Sequence, residues 1–571
     1  MPTQTLTNPT VAEAYLALLA ARGVDYLFAN AGTDFAPIIE AYAKSTGTGA
    51  KLPKPVTVPH ENVAVHLALG HAAVSGRPQA VMVHVSVGTA NAVCGLINAW
   101  RANIPILFTA GRTPLTEAGM QGSRDTHIHW PQEMADQAGM VRESVKWDYE
   151  LRNGQQLASV VDRALSIAAS APQGPIYLTL PREILAMPLD RFEIADTARH
   201  LGAVPALAEA AAVERAAALI ARAERPVIAT SRYGRRAEDV AVLAAIAERY
   251  ALPVVSYVSR YVALPASHPM NMGGNPKTFV EHADVILVLD SDVPWMPVEV
   301  SPRADATVIQ IADDPTFADY PIRGFPSDLS LAGDPMGTLA LLDAALEPLM
   351  KGQADRIETR RRRLGDEKAA MDAKRRAFIE RSRTQAPIHP AWLGQCVNDA
   401  KGDDAIVVKE SPTGGGFLSF EKPGTMLNIG AAGGLGWGLG SAIGAKLAAP
   451  DKLVIAYEGD GSYMFSVPVA AHYVALDQDA PFLTVIANNQ RWQAVRDATT
   501  MVYPSGHAAR ANSEPLTYFN PALRLEKAVE TAGGHGETVT DPAALPAALD
   551  RAIRIVTEER RQAVLNVICS A

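Results

Sequence analysis

Short β-rich runs alternate with longer apolar helical stretches along most of the chain, and this alternation limits the fold more than any other feature. Between Thr10 and Ile184, the helical stretch Val11 to Arg22 precedes the run Tyr26 to Ala29, and Ala64 to Ser75 precedes Ala80 to Val85. Such a pattern predicts a parallel sheet covered by helices. Ile176 to Leu180, followed by Pro181, reads as the last strand of this region, and the Pro- and Asp-containing stretch Met187 to Pro205 reads as a linker. A second alternation starts at Ala206, with Pro226 to Thr230, Pro253 to Tyr257, Ala283 to Leu289 and Thr307 to Ile311 as buried strands and Val240 to Tyr250 as a helix. It closes near Pro348. Lys351 to Arg383 is charged enough to be a solvent-facing helix joining domains, and a third α/β region runs from His389 to the end. Its strands are expected at Ala405 to Val408, Leu453 to Tyr457, Phe482 to Ala487 and Val564 to Cys569. The fold class is therefore α/β, with three domains of mostly parallel sheet.

Composition narrows the function classes. The chain has 571 residues, enough for three or four domains at about 150 residues each, and is 48% hydrophobic, enough for several cores. Sixty-one acidic residues against 52 basic ones give a net charge of -9, which argues against nucleic acid as a partner. The dense basic run Arg360 to Arg363, with Lys374 to Arg376 beyond it, alternates with Glu and Asp and reads as a solvated helical face. The start of the chain lacks the charged and apolar segments of a secretory signal, and the most apolar long stretch, Ile429 to Ala445, is rich in glycine and reads as a loop plus a helix start. No membrane partner is expected. Three scattered cysteines, Cys94, Cys396 and Cys569, suggest neither a disulfide framework nor a Cys-based zinc site, and fit a cytoplasmic location.

The sharpest chemical signal begins where Leu453 to Tyr457 ends. Glu458-Gly459-Asp460-Gly461-Ser462 is followed, after 25 residues and another apolar run, by Asn488-Asn489. Both halves lie at expected strand ends, where open parallel sheets collect ligands. Two glycines flanking an acid allow the backbone to approach a phosphate, and an Asp carboxylate with an Asn carbonyl offers the hard oxygen donors that suit Mg2+. A diphosphate site follows. The glycine stretch just upstream, Gly433 to Gly438, lacks the Gly spacing of a dinucleotide fingerprint, with Leu439 or Ser441 at the sixth position.

The motif pair resembles the signature of thiamine-diphosphate-dependent enzymes. In that family Asp460 and Asn489 would ligate Mg2+ by side chain and Arg491 by its carbonyl, while Gly459, Gly461 and Ser462 would hold the diphosphate. Two stretches, Val83-His84-Val85-Ser86-Val87-Gly88-Thr89-Ala90-Asn91 and Ala431-Ala432-Gly433-Gly434-Leu435-Gly436-Trp437-Gly438, are similar to benzoylformate decarboxylase and acetolactate synthase. The resemblance implies that Leu435 wedges apart the two rings of the cofactor and that the Gly433 carbonyl meets its pyrimidine amino group. Glu61, in Pro59-His60-Glu61-Asn62, would bond the pyrimidine ring and favour the imino tautomer that activates the thiazolium carbon. Read without the family, Glu61 is a first-turn helix acid and Leu435 a core leucine beside a glycine turn. His84 matches an active-site histidine of benzoylformate decarboxylase used for proton transfer. By the same correspondence Thr33, Trp492, Ala494 and Val495 would line the substrate pocket. The domains become residues 1–188 (pyrimidine-binding), 205–348 (central) and 385–571 (diphosphate- and Mg-binding).

Two departures refine the expectation. The second histidine of benzoylformate decarboxylase has no counterpart in Asp290-Ser291-Asp292-Val293-Pro294-Trp295-Met296-Pro297; His127 and His129, on one face of a strand, could replace it or could be rim residues. The central turn Thr230-Ser231-Arg232-Tyr233-Gly234 lacks the glycine-rich approach to FAD, so FAD is not expected and an acetolactate synthase or oxidase is disfavoured. The resemblance thus implies a non-oxidative decarboxylase of 2-oxo acids, with possible carboligation to acyloins, acting as a homodimer or homotetramer with shared sites. The alternatives are an acetolactate synthase-like carboligase, a 2-hydroxyacyl-CoA lyase, or a catalytically silent homologue that only binds the cofactor.

Overall fold

The computed structural model describes residues 3–195, 202–511 and 514–570, and its chain divides into two compact units. One comprises 1–203, 429–539 and 550–568; the other comprises 204–428, 540–549 and the last three residues. Among the described residues no helix is long and apolar enough to cross a membrane.

The first unit opens with a strand, Thr3–Thr7, paired antiparallel with Arg191–Ala195. The stretch expected to be a linker therefore contains a strand; its residues 196–201 lie outside those described. Helix Val11–Ala21 starts at a reciprocal cap, in which Thr10 Oγ1 accepts the Glu13 N–H and Glu13 Oε2 accepts the Thr10 N–H at 2.7 Å. A parallel sheet follows in the order Lys54–Thr57, Tyr26–Ala29, Ala80–Val83, Leu107–Arg112, Ile176–Pro181, Asp148–Glu150. Its inner strands are largely buried on both faces, and Ala80–Val83 reads as an unbroken apolar run. Val85, expected to end a strand, instead begins helix Val85–Arg101. The same unit holds four more parallel strands, ordered Val454–Gly459, Leu483–Asn488, Ala563–Ile568, His535–Val539.

Helices Glu61–Ser75 and Gly438–Ala448 of this unit approach backbone to backbone. A Cβ at Gly70 would lie 2.1 Å from the Ser441 carbonyl oxygen, and one at Gly444 would lie 2.1 Å from that of Leu67. Helix Glu61–Ser75 buries His66 and His71, and burial pushes their pKa values down to about 3 and about 4. His472, enclosed between Tyr463 and Gln562 at 2.9 and 2.7 Å, is pushed down to about 4 by the same cause.

The second unit carries a five-stranded parallel sheet, Val254–Ser256, Pro226–Thr230, Val285–Leu289, Thr307–Ala312, Leu329–Ala332. It also holds the parallel pair Ile406–Lys409 and Met426–Leu427. Residues of 385–571 fall in both units. Within the second, Ala266 N–H donates to Phe420 O at 2.9 Å and Ser267 bonds Glu421, tying segment 418–421 to the central sheet's loops. The charged helix spans Ala354–Ser382, but not all of its basic run is solvated. Arg360 is buried, donating from Nη2 to Tyr250 O at 2.7 Å, and burial lowers its pKa to about 10.

Candidate active site

Strand Val454–Gly459 runs two residues further than its apolar pattern, so Gly459 ends the strand and Asp460 begins a short helix, Asp460–Phe465. Strand Leu483–Asn488 is its parallel neighbour, with Gly459 paired to Ala487, and this register brings Asp460 to the Asn488-Asn489 turn. The turn is preset by its own side chains. Asn488 Oδ1 accepts Gln490 N–H at 2.9 Å and Asn489 Oδ1 accepts Arg491 N–H at 3.2 Å. Behind it, Asn488 Nδ2 donates to Asn566 Oδ1 at 2.8 Å and Asn566 Nδ2 donates to Glu526 Oε2 at 2.9 Å, a buried chain that fixes the amide's orientation.

Asp460 is 4% exposed, and burial pushes its carboxyl pKa up, opposed by backbone N–H donors from Gly461 and from residues 489–491. Its Oδ1 accepts the Gly461 N–H at 2.8 Å, whereas Oδ2 is buried with no hydrogen-bond partner among the described residues. A desolvated carboxylate oxygen beside an amide and a backbone carbonyl is the donor chemistry of a Mg2+ site. The Arg491 carbonyl accepts Gln493 N–H at 3.0 Å and retains one lone pair for a cation. Among the described residues no group of three or more His, Cys, Asp or Glu side chains could hold a metal, so a cation here would depend on oxygen donors of this mixed kind. Ser462 is buried, and the Trp492 ring lies so close to Gly461 that a Cβ there would come within 2.1 Å of it. Trp492 also meets Phe519 edge-on at 4.8 Å between centroids.

The glycine stretch before helix Gly438–Ala448 is held from two sides. The buried Asn98 amide donates to Gly434 O at 2.7 Å and accepts Gly434 N–H at 3.3 Å. Gly436, at φ +86°, allows no side chain, since a Cβ would lie 2.3 Å from the Phe465 carbonyl carbon. Gly433 is exposed and also has positive φ, and Leu435 is only half-buried, which weakens its reading as a core leucine.

Glu61 begins its helix after His60, whose Nδ1 caps Asn62 N–H at 3.2 Å. The Glu61 carboxylate is 8% exposed and accepts from Asn91 Nδ2 at 3.1 Å. His84 stands between strand Ala80–Val83 and helix Val85–Arg101. Its Nδ1 meets Asp34 Oδ1 at 2.5 Å and its Nε2 lies 3.2 Å from Gln132 Nε2. Asp34 is 2% exposed, and its other oxygen accepts Val85 N–H at 3.4 Å. Gly32 makes room for the imidazole, since a Cβ there would lie 2.1 Å from His84 Nδ1.

The histidine pair does not share a face. His127–His129 forms a 3-10 turn rather than a strand, so His127 is exposed while His129 is buried, 3.4 Å from Thr33 Oγ1. The alternation of a strand fails here because the segment is an irregular loop with no partner strand. Burial lowers the His129 pKa, and its Nδ1 accepts Asp125 N–H at 3.3 Å. Thr33, Ala494 and Val495 are exposed, the last two on helix Gln493–Val502. Asp34 and Asn566 escaped sequence reasoning, and Asn91 and Asn98, in and beyond the stretch similar to benzoylformate decarboxylase, were given no role. Asp34 follows the end of strand Tyr26–Ala29, neighbour of the strand that ends at Val83, and this shared strand-end position was its available signal.

Three family models match the chain: the N-terminal thiamine pyrophosphate enzyme domain over residues 9–140, the central domain over 213–342 and the C-terminal domain over 412–567. A sulfoacetaldehyde acetyltransferase of Rhodobacter capsulatus is 28% identical, covering 86% of this chain and 84% of its own. A benzoylformate decarboxylase of Pseudomonas aeruginosa is 26% identical, covering 85% and 87% respectively. The crystal structure of benzoylformate decarboxylase from Polynucleobacter necessarius has the same fold, with a TM-score of 0.76 at 20% identity over 98% of both chains.

Proposed function

Because the chain belongs to the thiamine pyrophosphate enzymes, with their three α/β domains, we propose that it is a Mg2+- and thiamine-diphosphate-dependent lyase that removes carbon dioxide from a 2-oxo acid without net oxidation. The observation that carries this reading is the buried, unpartnered Asp460 Oδ2 beside the preset Asn489 turn. Asp460, Asn489 and the Arg491 carbonyl would hold Mg2+, Gly459, Gly461 and Ser462 the diphosphate, and Gly433 and Leu435 the pyrimidine side. Bound there, the cofactor would supply an electron sink for the bonding pair left behind when carbon dioxide departs. Glu61 holds a proton for the pyrimidine ring, with Asn91 orienting its carboxylate. His84, fixed at Nδ1 by Asp34, presents Nε2 for proton transfer to the substrate's oxygen or carbon. Thr33, Trp492, Ala494 and Val495 shape the substrate pocket, and the small apolar side chains of Ala494 and Val495 suit branched or aromatic tails better than pyruvate. Residues 1–188, 205–348 and 385–571 serve as the three domains of a cytoplasmic dimer or tetramer.

A flavin-free enzyme is favoured over a synthase by a polar network around Asp292 at the ends of the central strands. Ser231 Oγ donates to Asp292 Oδ1 at 3.1 Å, Tyr320 OH donates to Asp292 Oδ2 at 2.9 Å, and Arg260 pairs with the same carboxylate. Burial alone would raise the Asp292 pKa, but Arg260 and Arg232 hold it below the usual carboxylate range. The deciding experiment incubates the protein with thiamine diphosphate, Mg2+ and a panel of 2-oxo acids. Aldehyde and carbon dioxide are expected, with benzoylformate or a branched acid exceeding pyruvate in kcat/KM. Acetolactate from pyruvate as the main product, or a stoichiometric flavin absorbance band, would overturn the reading. Calorimetry tests the metal site separately: Asp460→Ala should abolish Mg2+-dependent cofactor binding, and unchanged affinity would remove Asp460 from it.

A further inference from the structure

The second unit contains a cleft of about 710 Å3 lined by the loop after strand Val254–Ser256, by helix Ala354–Ser382 and by residues of 409–426. None of its lining residues is assigned above to the cofactor or the substrate. Its size lies in the range of small-molecule sites, about 300–1,000 Å3. The wall joins apolar side chains, Leu264, Met371 and Phe420 among them, to three cations, Lys368, Arg375 and Lys409.

Two of the cations are accounted for. Lys368 Nζ donates to Ala266 O at 3.1 Å and to Asn271 O at 3.3 Å, and lies 3.5 Å from Asp372. Arg375 donates to Gly416 O at 3.0 Å and Phe417 O at 2.6 Å. The acid Glu421 is likewise occupied, accepting Ser267 Oγ at 2.6 Å and Ser267 N–H at 3.2 Å. Lys409 is different. It ends strand Ile406–Lys409, its stem lies along Gly415, where a Cβ would come within 3.2 Å of Lys409 Cδ, and it lines the cleft. Burial lowers its pKa, and none of the described hydrogen bonds or ion pairs involves its ammonium. Lys409 is half-buried on the cleft wall, where a bound anion would supply the charge-assisted hydrogen bond that no described group provides.

We propose that this cleft is a second small-molecule site, receiving an organic monocarboxylate whose acid group pairs with Lys409 and whose apolar body lies against Leu264, Met371 and Phe420. A single uncompensated positive charge matches one carboxylate better than a phosphate dianion, and the apolar wall favours an acid with a hydrocarbon or aromatic body.

The test is calorimetry on the full-length protein with thiamine diphosphate and Mg2+, titrating benzoate, hexanoate and inorganic phosphate in turn. Saturable binding of benzoate or hexanoate is expected. Lys409→Met should weaken it at least tenfold, Lys409→Arg should retain it, and Asp460→Ala, which strips the proposed cofactor site, should leave it unchanged. A thermal melt checks that Lys409→Met folds as the parent does. Equal carboxylate affinity in Lys409→Met and parent, or no saturable carboxylate binding, overturns the proposal. Phosphate binding in place of carboxylate overturns the assigned ligand class. Loss of carboxylate binding in Asp460→Ala alone would return the ligand to the proposed catalytic site.

Discussion

His84 meets two side chains that lie 50 and 48 residues away in sequence, Asp34 at Nδ1 and Gln132 at Nε2. The first contact fixes the ring by a carboxylate that is itself buried and tied to Val85 N–H, so the imidazole's orientation is set by groups that do not reach the substrate. Asp34→Asn keeps the shape and removes the charge; kcat should fall on the order of tenfold to a hundredfold, part of the 10²–10⁴ that positioned acid–base groups contribute. Steady-state kinetics with parallel cofactor titration checks this, and an unchanged kcat would leave Asp34 a purely structural acid. Glu61→Gln should still bind thiamine diphosphate but slow exchange of the cofactor's acidic ring proton by about a hundredfold or more, because an amide cannot hold the proton a carboxylate holds. Deuterium exchange followed by NMR reads that rate directly. Asp460 was singled out by its motif after an apolar run and Glu61 by family resemblance, whereas Asp34 was not, since its meaning depends on which strands are neighbours.

Arg360 shows what a helix's composition conceals. Helix Ala354–Ser382 was recognisable by its charge, but its buried face is marked only by Arg360, Leu364, Ile379 and Ser382, too sparse a stripe for periodicity to reveal. Arg360 Nη1 reaches the Ala223 carbonyl, which Arg356 also serves, and Nη2 reaches the Tyr250 carbonyl, so Arg360→Ala leaves the Tyr250 acceptor unpaired. The substitution should cost about 1–3 kcal/mol, whereas the exposed Arg362→Ala should stay within about 0.5 kcal/mol; urea denaturation of both variants separates them. Four of the strands that sequence reasoning missed have a common cause. Lys54–Thr57, Asp148–Glu150, Leu329–Ala332 and His535–Val539 are edge strands, half-exposed and without the unbroken apolar run that burial on both faces imposes on their inner neighbours. Met426–Leu427 is only two residues long and gives no pattern at all.

For the chain as a whole, stability should fall on acidification. His66, His71 and His472 have folded pKa values lowered to about 3, about 4 and about 4 by burial, below the 6.5 of a free imidazole. The unfolded chain therefore binds protons below pH 6.5 that the folded chain refuses, and the stabilisation present above 6.5 is lost as pH falls towards 4. Each imidazole contributes about 1.4 kcal/mol per pH unit to that loss. Denaturation midpoints at pH 7.5 and 5.5 should differ accordingly, and His472→Gln should narrow the difference; a midpoint independent of pH would refute the argument. A last consequence follows from helices Glu61–Ser75 and Gly438–Ala448, which meet backbone to backbone at Gly70 and Gly444. Side chains can change rotamer to absorb a displacement, but touching backbones cannot, so the pair moves as one rod. The acid at the head of one helix and the bend that leads into the other share a common mechanical frame. An added methyl at Gly444, several turns from Glu61, would thus detune the carboxylate's aim without coming near it.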